Sequence, residues 1–221
     1  MKRMIVGVLA MGLGACAGAP QGDSIPIHDF DPSFSSAMCA SAGWDRAKLD
    51  DLKAAKFEIA DNEARQAFAK AITACLASPD PELRDKIAFE ALTHMLRGRQ
   101  LSAPTQKALL ADLVARLDAP AGQGFEQPFA ALALSEVARA DRVEAFLTED
   151  ELIKLLVDAQ HWFINVSDYR GYDAAEGWRH GVAHGADLLM QLALNPRIDA
   201  EGLSVIVSAV GAQAAPKGHA Y

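Results

Sequence analysis

The sequence predicts an all-α fold, and three observations support this prediction. From Ala47 onward, apolar residues recur at the spacing of amphipathic helices, and no stretch shows the alternating pattern of a strand. Helices that open near Pro81, Pro128 and Asp173 are each followed by a partner helix, and the pairs recur at intervals of 45–47 residues. This interval is typical of stacked antiparallel helix pairs of the HEAT or armadillo kind, which form a short solenoid. An irregular helical bundle of the same helices is the alternative.

Capping residues and prolines indicate where the earlier helices begin. Asp61 is placed to cap one helix, and Asp80 followed by Pro81 is typical of an N-cap with proline in the first turn. Further helices are expected to open at Pro104 and Pro128. Because these signals are local, they predict where the helices begin better than they predict how the helices pack.

Two patterns of the capping-box type follow, in which a glutamate stands three residues after the N-cap. Residues 148–151 (TEDE) form the first. Residues 173–176 (DAAE) have the same spacing and predict a helix from about Ala174 to Leu194. Asp199 then caps a final amphipathic helix.

The composition is that of an acidic globular chain. Hydrophobic residues make up 51% and charged residues 23% of the 221 positions, which favours a folded core over disorder. The formal net charge is −8, and no run of Lys and Arg exceeds two residues. Because such a surface repels phosphate backbones, nucleic acid is excluded as an expected partner.

The first 15 residues have the pattern of a bacterial lipoprotein signal peptide. Lys2 and Arg3 precede an apolar run, Met4 to Leu13, that is too short to span a bilayer. The run closes with Leu-Gly-Ala-Cys, which resembles a lipobox and implies lipid on Cys16. An ordinary secretory signal is the alternative and leads to the same compartment. By analogy with lipoprotein sorting, alanine after the cysteine favours the outer membrane, facing the periplasm.

Residues 16–46 are expected to form a lipid-anchored tether, and residues 47–221 a single all-helical domain. The cell envelope is oxidising, so Cys39 and Cys75 are candidates for a disulfide. A bridge across their separation of 36 residues would stabilise the fold by roughly 3–4 kcal/mol. One buried thiol and one mobile thiol fit the sequence equally well.

A candidate site lies on the helix predicted from Ala174 to Leu194. At about 100° per residue, a polar seam of four residues falls within about 60° of the helix circumference: His180, His184, Asp187 and Gln191. Most other positions are apolar, so the helix is expected to be buried and the seam to meet polar groups, water or a ligand. A stripe of glycines beside it indicates close approach of a neighbouring helix or a bound molecule: Gly177, Gly181 and Gly185.

His180 and His184 have the spacing of two metal ligands on one helix, which makes a divalent metal a candidate cofactor. Asp187 is better placed to accept a hydrogen bond from His184 than to join them. A third ligand would have to come from elsewhere: from Asp168, Glu176, His161 or His94. The HExxH protease pattern fails, because Gly181 follows His180. A buried hydrogen-bond network that fixes helix packing is the alternative.

The preceding segment, SDYRGYD (residues 167–173), places acids, tyrosines and an arginine in a loop, where functional residues often lie. Arg170 presents a planar fork for a carboxylate ligand. An ion pair of Arg170 with Asp168 or Asp85 that fixes adjacent repeats fits the sequence at least as well.

Three stretches together resemble a bacterial family known only as domain of unknown function 2785: residues 79–92 (PDPELRDKIAFEAL), 128–142 (PFAALALSEVARADR) and 168–196 (DYRGYDAAEGWRHGVAHGADLLMQLALNP). The resemblance covers roughly residues 48–213, and its third stretch is the most specific. It implies an all-helical fold and no established activity. The family pattern continues with an acidic, arginine-bearing segment, which the resemblance implies is missing here. The lipoprotein anchor is not part of that pattern.

We therefore expect an envelope lipoprotein of unknown activity, a helical-repeat binding or scaffold module with a polar His/Asp seam. The membrane, through lipid on Cys16, and a protein or small-molecule ligand are the expected partners. The alternative is a metal-dependent hydrolase that uses His180 and His184. A structural lipoprotein without a ligand is the third interpretation.

Overall fold

A computed structural model describes residues 44–214 of the chain. The predicted signal peptide, Cys16 with its predicted lipid, Cys39 and residues 215–221 lie outside the described residues. The described part is mostly helical, which confirms the all-α prediction. Its helices are α1 (Arg46–Ala54), α2 (Asn62–Ile72), a 3-10 segment (Thr73–Ala77), α3 (Pro81–Leu83), a π-helical segment (Arg84–Phe89), α4 (Glu90–Arg97), α5 (Ala103–Leu117), α6 (Glu126–Val143), α7 (Glu149–Ile164), α8 (Gly181–Ala193) and α9 (Ala200–Ala214). A hairpin of β1 (Tyr172–Asp173) and β2 (Gly177–Trp178) precedes α8.

The helix starts predicted at Asp61, Asp80 and Thr148 are confirmed. The Asp61 side chain accepts the N–H of Ala64, and Asp80 caps α3 with proline in the first turn. Thr148 and Glu151 form the reciprocal capping box of α7. Each cap satisfies N–H groups that have no partner within the helix itself, which is why these sequence signals are dependable.

Helix α6 lies at the centre of the packed domain. It contacts α4 and α5 on the N-terminal side and packs most extensively on α8. Alanines at positions such as Ala130, Ala133 and Ala138 are fully buried, and small side chains let neighbouring helices approach closely. Helices α7 and α9 contact each other in the same way. These contacts are of the kind that stacked helix pairs require; the repeat itself stays a prediction.

The helix predicted from Ala174 to Leu194 is wrong in its first seven residues. The Asp173 carboxylate accepts the N–H groups of Ala175 and Glu176, as predicted for a capping residue, but the chain then turns into a hairpin. Gly177 has φ +78°, which is incompatible with a continuing right-handed helix. Helix α8 therefore begins only at Gly181.

Helix α8 also differs from the interior rod that the sequence predicted. His184, Gly185, Leu188 and Leu192 are buried. The opposite side is exposed to solvent: Ala183, Ala186, Asp187 and Met190. The helix is thus amphipathic and covers α6 with one side only. No helix among residues 44–214 is long and apolar enough to cross a bilayer.

Candidate ligand-binding site

The hairpin before α8 brings two aromatic side chains to one side of the chain. Tyr172 and Trp178 are directly paired across its strands, so their side chains leave the same face. Their ring centroids lie 5.0 Å apart, and both side chains are largely in solvent, at 63% and 45% exposure respectively. Exposed aromatic side chains of this size are common at binding surfaces.

His180 connects the hairpin to α8 in a left-handed backbone conformation, with φ 54° and ψ 35°. Its ring stacks on Trp178 with centroids 3.9 Å apart and an interplanar angle of 34°. The other non-glycine residues with positive φ in the described chain follow helix C-termini, where this conformation is common: Lys56, Phe57 and Arg99. His180 instead precedes a helix, and its side chain does not cap it. We call Tyr172, Trp178 and His180 the aromatic platform.

His184 lies beneath the platform and is almost completely buried, with 7% of its surface exposed. Its ring contacts Phe129 of α6 and His180, with centroid distances of 4.8 and 5.7 Å. Burial, reinforced by the nearby His180, lowers the pKa of His184 to about 4, so the ring is neutral at physiological pH. Its Nδ1 atom is buried and makes no hydrogen bond of regular geometry within the described residues, although a backbone contact with Pro128 opposes the lowering of the pKa. In particular, Asp187 does not accept the hydrogen bond from His184 that the sequence predicted.

Asp187 and Gln191 continue the polar seam along α8, but only Gln191 forms a hydrogen bond with α6 among the described residues. Gln191 accepts a hydrogen bond of 3.1 Å from Arg142. Asp187 forms no ion pair with any residue between 44 and 214. Partial burial and the negative charge of Glu136 raise the pKa of the Asp187 carboxyl, and His180 opposes them. The seam is therefore two features: a polar helix contact at Gln191, and a carboxylate without a basic partner near His180.

The loop residues Asp168 and Arg170 pair with each other, as one sequence interpretation allowed. Arg170 donates to both carboxylate oxygens of Asp168, at 2.8 Å from Nε to Oδ1. Although burial opposes it, hydrogen bonds from Arg170 lower the pKa of Asp168. Glu176 is likewise paired, accepting a 2.6 Å hydrogen bond from Arg179. Neither carboxylate is free to bind a ligand without giving up its arginine.

A buried arginine, Arg84, holds the hairpin on the rest of the domain. Its side chain is fully buried, and its guanidinium lies 4.1 Å from the centre of the Phe125 ring and 4.6 Å from that of Phe129. It donates to the Glu176 carbonyl at 2.9 Å and forms an ion pair with Asp85. The guanidinium of Arg84 comes from the π-helical segment, which adds a residue to the turn and often marks functional sites.

The glycine stripe has two different explanations. A methyl group on Gly185 would collide with the rings of Phe163 and Trp162, so glycine lets α7 approach α8 closely. At Gly181 it would lie 3.1 Å from Val166. Gly177 instead supplies the positive φ of the hairpin. Helix packing and a turn therefore account for the stripe.

A separate cleft of about 440 Å³ opens on the other side of the Asp168 loop. It lies among the ends of α5 and α7 and the first turns of α6 and α8. Its polar lining residues are Asp118, Gln127, His161, Asn165, Ser167 and Asp168. A cleft of this volume could hold a small molecule, but the predicted residues His180, His184 and Asp187 do not line it.

The structure does not assemble a third metal ligand beside the two histidines. Within residues 44–214 no group of three or more His, Cys, Asp or Glu side chains is placed to hold a metal ion. The candidates for the third position lie elsewhere or are engaged: His161 in the cleft, His94 beside Glu58, and Asp168 and Glu176 on arginines. Cys75, which the sequence predicts as a partner of Cys39, is disulfide-bonded. Its predicted partner Cys39 lies outside the described residues, so that pairing stays a prediction.

Comparison with known families identifies the segment that carries this geometry. Residues 113–221 match the family described as Protein of unknown function (DUF2785). The match covers the C-terminal part of the chain, from Leu113 onward. The predicted resemblance is confirmed over this range, which is shorter than the expected 48–213. No curated protein and no solved structure matches the chain.

The DUF2785 segment contains the aromatic platform, His184 and Asp187, whereas Arg84 precedes it in the sequence. Sequence reasoning missed the burial of Arg84 and Arg179. Both cations stack on the ring of Phe125, with Arg179 at 4.4 Å from its centre. No periodic pattern marks such a contact, and the only local signal was Gly177, next to the Glu176 carbonyl that Arg84 binds. The family description names no activity, so function has to be argued from the geometry.

Proposed function

We propose that this protein is a cell-envelope lipoprotein whose helical domain binds a small ligand or a partner at the aromatic platform, above His184. Lipid on Cys16 anchors it to the outer membrane, facing the periplasm. The signal-peptide pattern of residues 1–15 supports the anchor, and the geometry around His180 supports the binding site.

The observation that carries the binding proposal is the buried Nδ1 atom of His184, which makes no hydrogen bond of regular geometry within residues 44–214. Buried polar atoms are almost always satisfied, and an exception points to a water, an ion or a ligand. The strained backbone of His180 lies directly beside it. Strain of this kind costs about 1–3 kcal/mol and is concentrated at functional sites. Both features fall on the pair of histidines that the sequence singled out.

The metal-dependent hydrolase is the less supported alternative. His180 and His184 supply two nitrogen ligands at most, and a catalytic zinc site needs three protein ligands. Metal analysis of protein purified without chelator tests it directly. Stoichiometric zinc, manganese or iron that disappears in His180→Ala would favour the hydrolase over the binding module.

A thermal-shift screen of full-length protein in a maltoside detergent tests the binding proposal. The compounds would include amines, sugars, carboxylates and divalent metal ions. A ligand at 100 times its Kd stabilises the folded state by about 2.7 kcal/mol, which is readily measured. We expect stabilisation that is lost in Trp178→Ala and retained in Asn165→Ala, the control variant in the cleft. Stabilisation lost only in Asn165→Ala, or none at all, would overturn the proposal.

The anchor has its own test, which does not depend on ligand binding. Intact mass spectrometry of the mature protein should find an N-terminus at Cys16 with attached lipid. Cys16→Ser should move the protein from the membrane fraction to the soluble fraction. A mature N-terminus at another residue without lipid would show an ordinary secretory signal instead.

A further inference from the structure

We propose that the ligand of this site is an organic ammonium ion, held between the aromatic platform and the Asp187 carboxylate. This inference rests on the proposed binding function and specifies its chemistry. It depends on two properties of the site: exposed aromatic side chains, and a carboxylate without an ion pair among residues 44–214.

The ring faces come from Trp178 and Tyr172, which remain accessible because the hairpin projects them on one side. A cation within about 6 Å of the centre of an aromatic ring is attracted by the electron density of its face, most strongly for tryptophan. Quaternary ammonium groups are recognised in this way by clusters of aromatic side chains. His180 supports the indole from below, at 3.9 Å.

The carboxylate is Asp187, which has no basic partner among the described residues. Asp187 follows the N-cap residue His180 by seven positions, so the helical period places both on the same edge of α8. The nearest second acid, Glu136, is already paired with Arg97 through two hydrogen bonds. Asp187 therefore contributes a negative charge that only a ligand or solvent can compensate.

The basic residues near the site form no ion pair with Asp187. Arg84 is paired with Asp85 and Arg179 with Glu176, whereas Arg142 donates to the neutral amide of Gln191, one turn beyond Asp187. His184 is neutral because its pKa is about 4. An anionic ligand would be repelled by Asp187, and a neutral sugar would leave its charge uncompensated. A metal ion lacks the third ligand.

Isothermal titration of the full-length protein in dodecyl maltoside, which has no ammonium group, tests this inference. The probes are choline and 3,3-dimethyl-1-butanol, which has the same shape with carbon in place of the charged nitrogen. We expect choline to bind and the neutral alcohol to bind at least about tenfold more weakly. A further titration with dihexanoylphosphatidylcholine below its micellar concentration tests whether a lipid headgroup also binds at the site. Binding of choline alone would indicate a free ammonium compound, and binding of both a headgroup ligand.

Substitutions at Asp187 and Trp178 test where the ammonium ion binds. Asp187→Asn should weaken choline binding roughly tenfold, and Trp178→Ala should weaken it by at least as much. Asp118→Asn is the matched control, because Asp118 is also an exposed carboxylate without an ion pair but lies in the separate cleft. A loss in Asp118→Asn with no loss in Asp187→Asn would overturn the inference.

The failure of the inference can be told apart from failure of the proposed function. Equal affinity for choline and its neutral isostere overturns the ammonium assignment. The ammonium assignment is also overturned if choline does not bind but another compound binds and loses its affinity in Trp178→Ala. In that case the proposed binding function stands. If no compound stabilises the protein through Trp178, both proposals fail.

Discussion

The left-handed backbone of His180 predicts that glycine and alanine affect stability in opposite ways at two positions only six residues apart. At position 180, replacing alanine by glycine should raise the free energy of unfolding. At Ala186, which is exposed in the middle of α8, the same replacement should lower it. The comparison is made between His180→Gly and His180→Ala, because both variants lose the imidazole ring and its contact with Trp178.

The magnitude follows from the backbone conformation. A residue with a Cβ atom in the left-handed region costs about 1–2 kcal/mol, which glycine avoids. Glycine also lowers the free energy of unfolding by about 0.4–1 kcal/mol, because it increases the conformational entropy of the unfolded chain. The net advantage of His180→Gly over His180→Ala is therefore about 1 kcal/mol. At Ala186 glycine should instead cost about 1 kcal/mol, because there the backbone is helical.

Urea titrations and melting curves of the four proteins provide the measurement. A change of 1 kcal/mol corresponds to about 2–4 °C in Tm for a domain of this size. Both variants at position 180 should lose ligand binding alike, since the platform lacks a ring in each. If glycine destabilises position 180 as it does position 186, residue 180 lies within a regular helix. The strain argument would then fail, and with it a main support for the binding site.

Other predictions test packing and electrostatics. Gly185→Ala should cost about 1–3 kcal/mol in urea titrations, because the methyl group meets the Phe163 ring, whereas Gly211→Ala, which faces open space, should be neutral or stabilising. The folded pKa of His184, about 4, lies below the ordinary histidine pKa of 6.5. Stability should therefore fall by about 3 kcal/mol as pH decreases from 6.5 to 4, and His184→Gln should remove this slope. The buried Asp141 carboxylate accepts two backbone N–H groups and an arginine. Asp141→Ala should cost about 3–5 kcal/mol, and a change in Tm below 2 °C would contradict this.

The helix boundaries that could be predicted from the sequence are those set by local chemistry. Asp61 and Thr148 cap helices through N–H groups two or three residues away, and those contacts are visible in the order of residues. Asp173 has the same signal and satisfies two N–H groups in the same way. What decides between a helix and a hairpin after it is the bond from Arg84 to the Glu176 carbonyl, 92 residues away in sequence. No local pattern contains that information.

The sequence singled out His180, His184 and Asp187 as site residues, but it did not single out Tyr172 and Trp178, and it did not predict the arrangement. The rings of His180 and His184 lie 5.7 Å apart, although His180 lies outside the regular helix. Trp178 lies in the stretch for which the sequence predicts a buried helix, yet its side chain is nearly half exposed. The burial of Arg84 could not be predicted, because arginine is rarely buried unless it is paired, and its partners are distant in sequence.

The break in the predicted helix is the feature that creates the site. In a continuous helix residues 178 and 180 would be separated by about 200° around the axis, so their rings could not stack. The left-handed turn at His180 brings the rings to 3.9 Å, and the hairpin places Tyr172 beside them. Stacking contributes about 0.5–1.5 kcal/mol, which does not offset the backbone strain by itself. The contacts of Arg84 and Arg179 with the hairpin must hold the conformation in place. Weakening those contacts from a distance should therefore dismantle the platform while leaving its own residues unchanged.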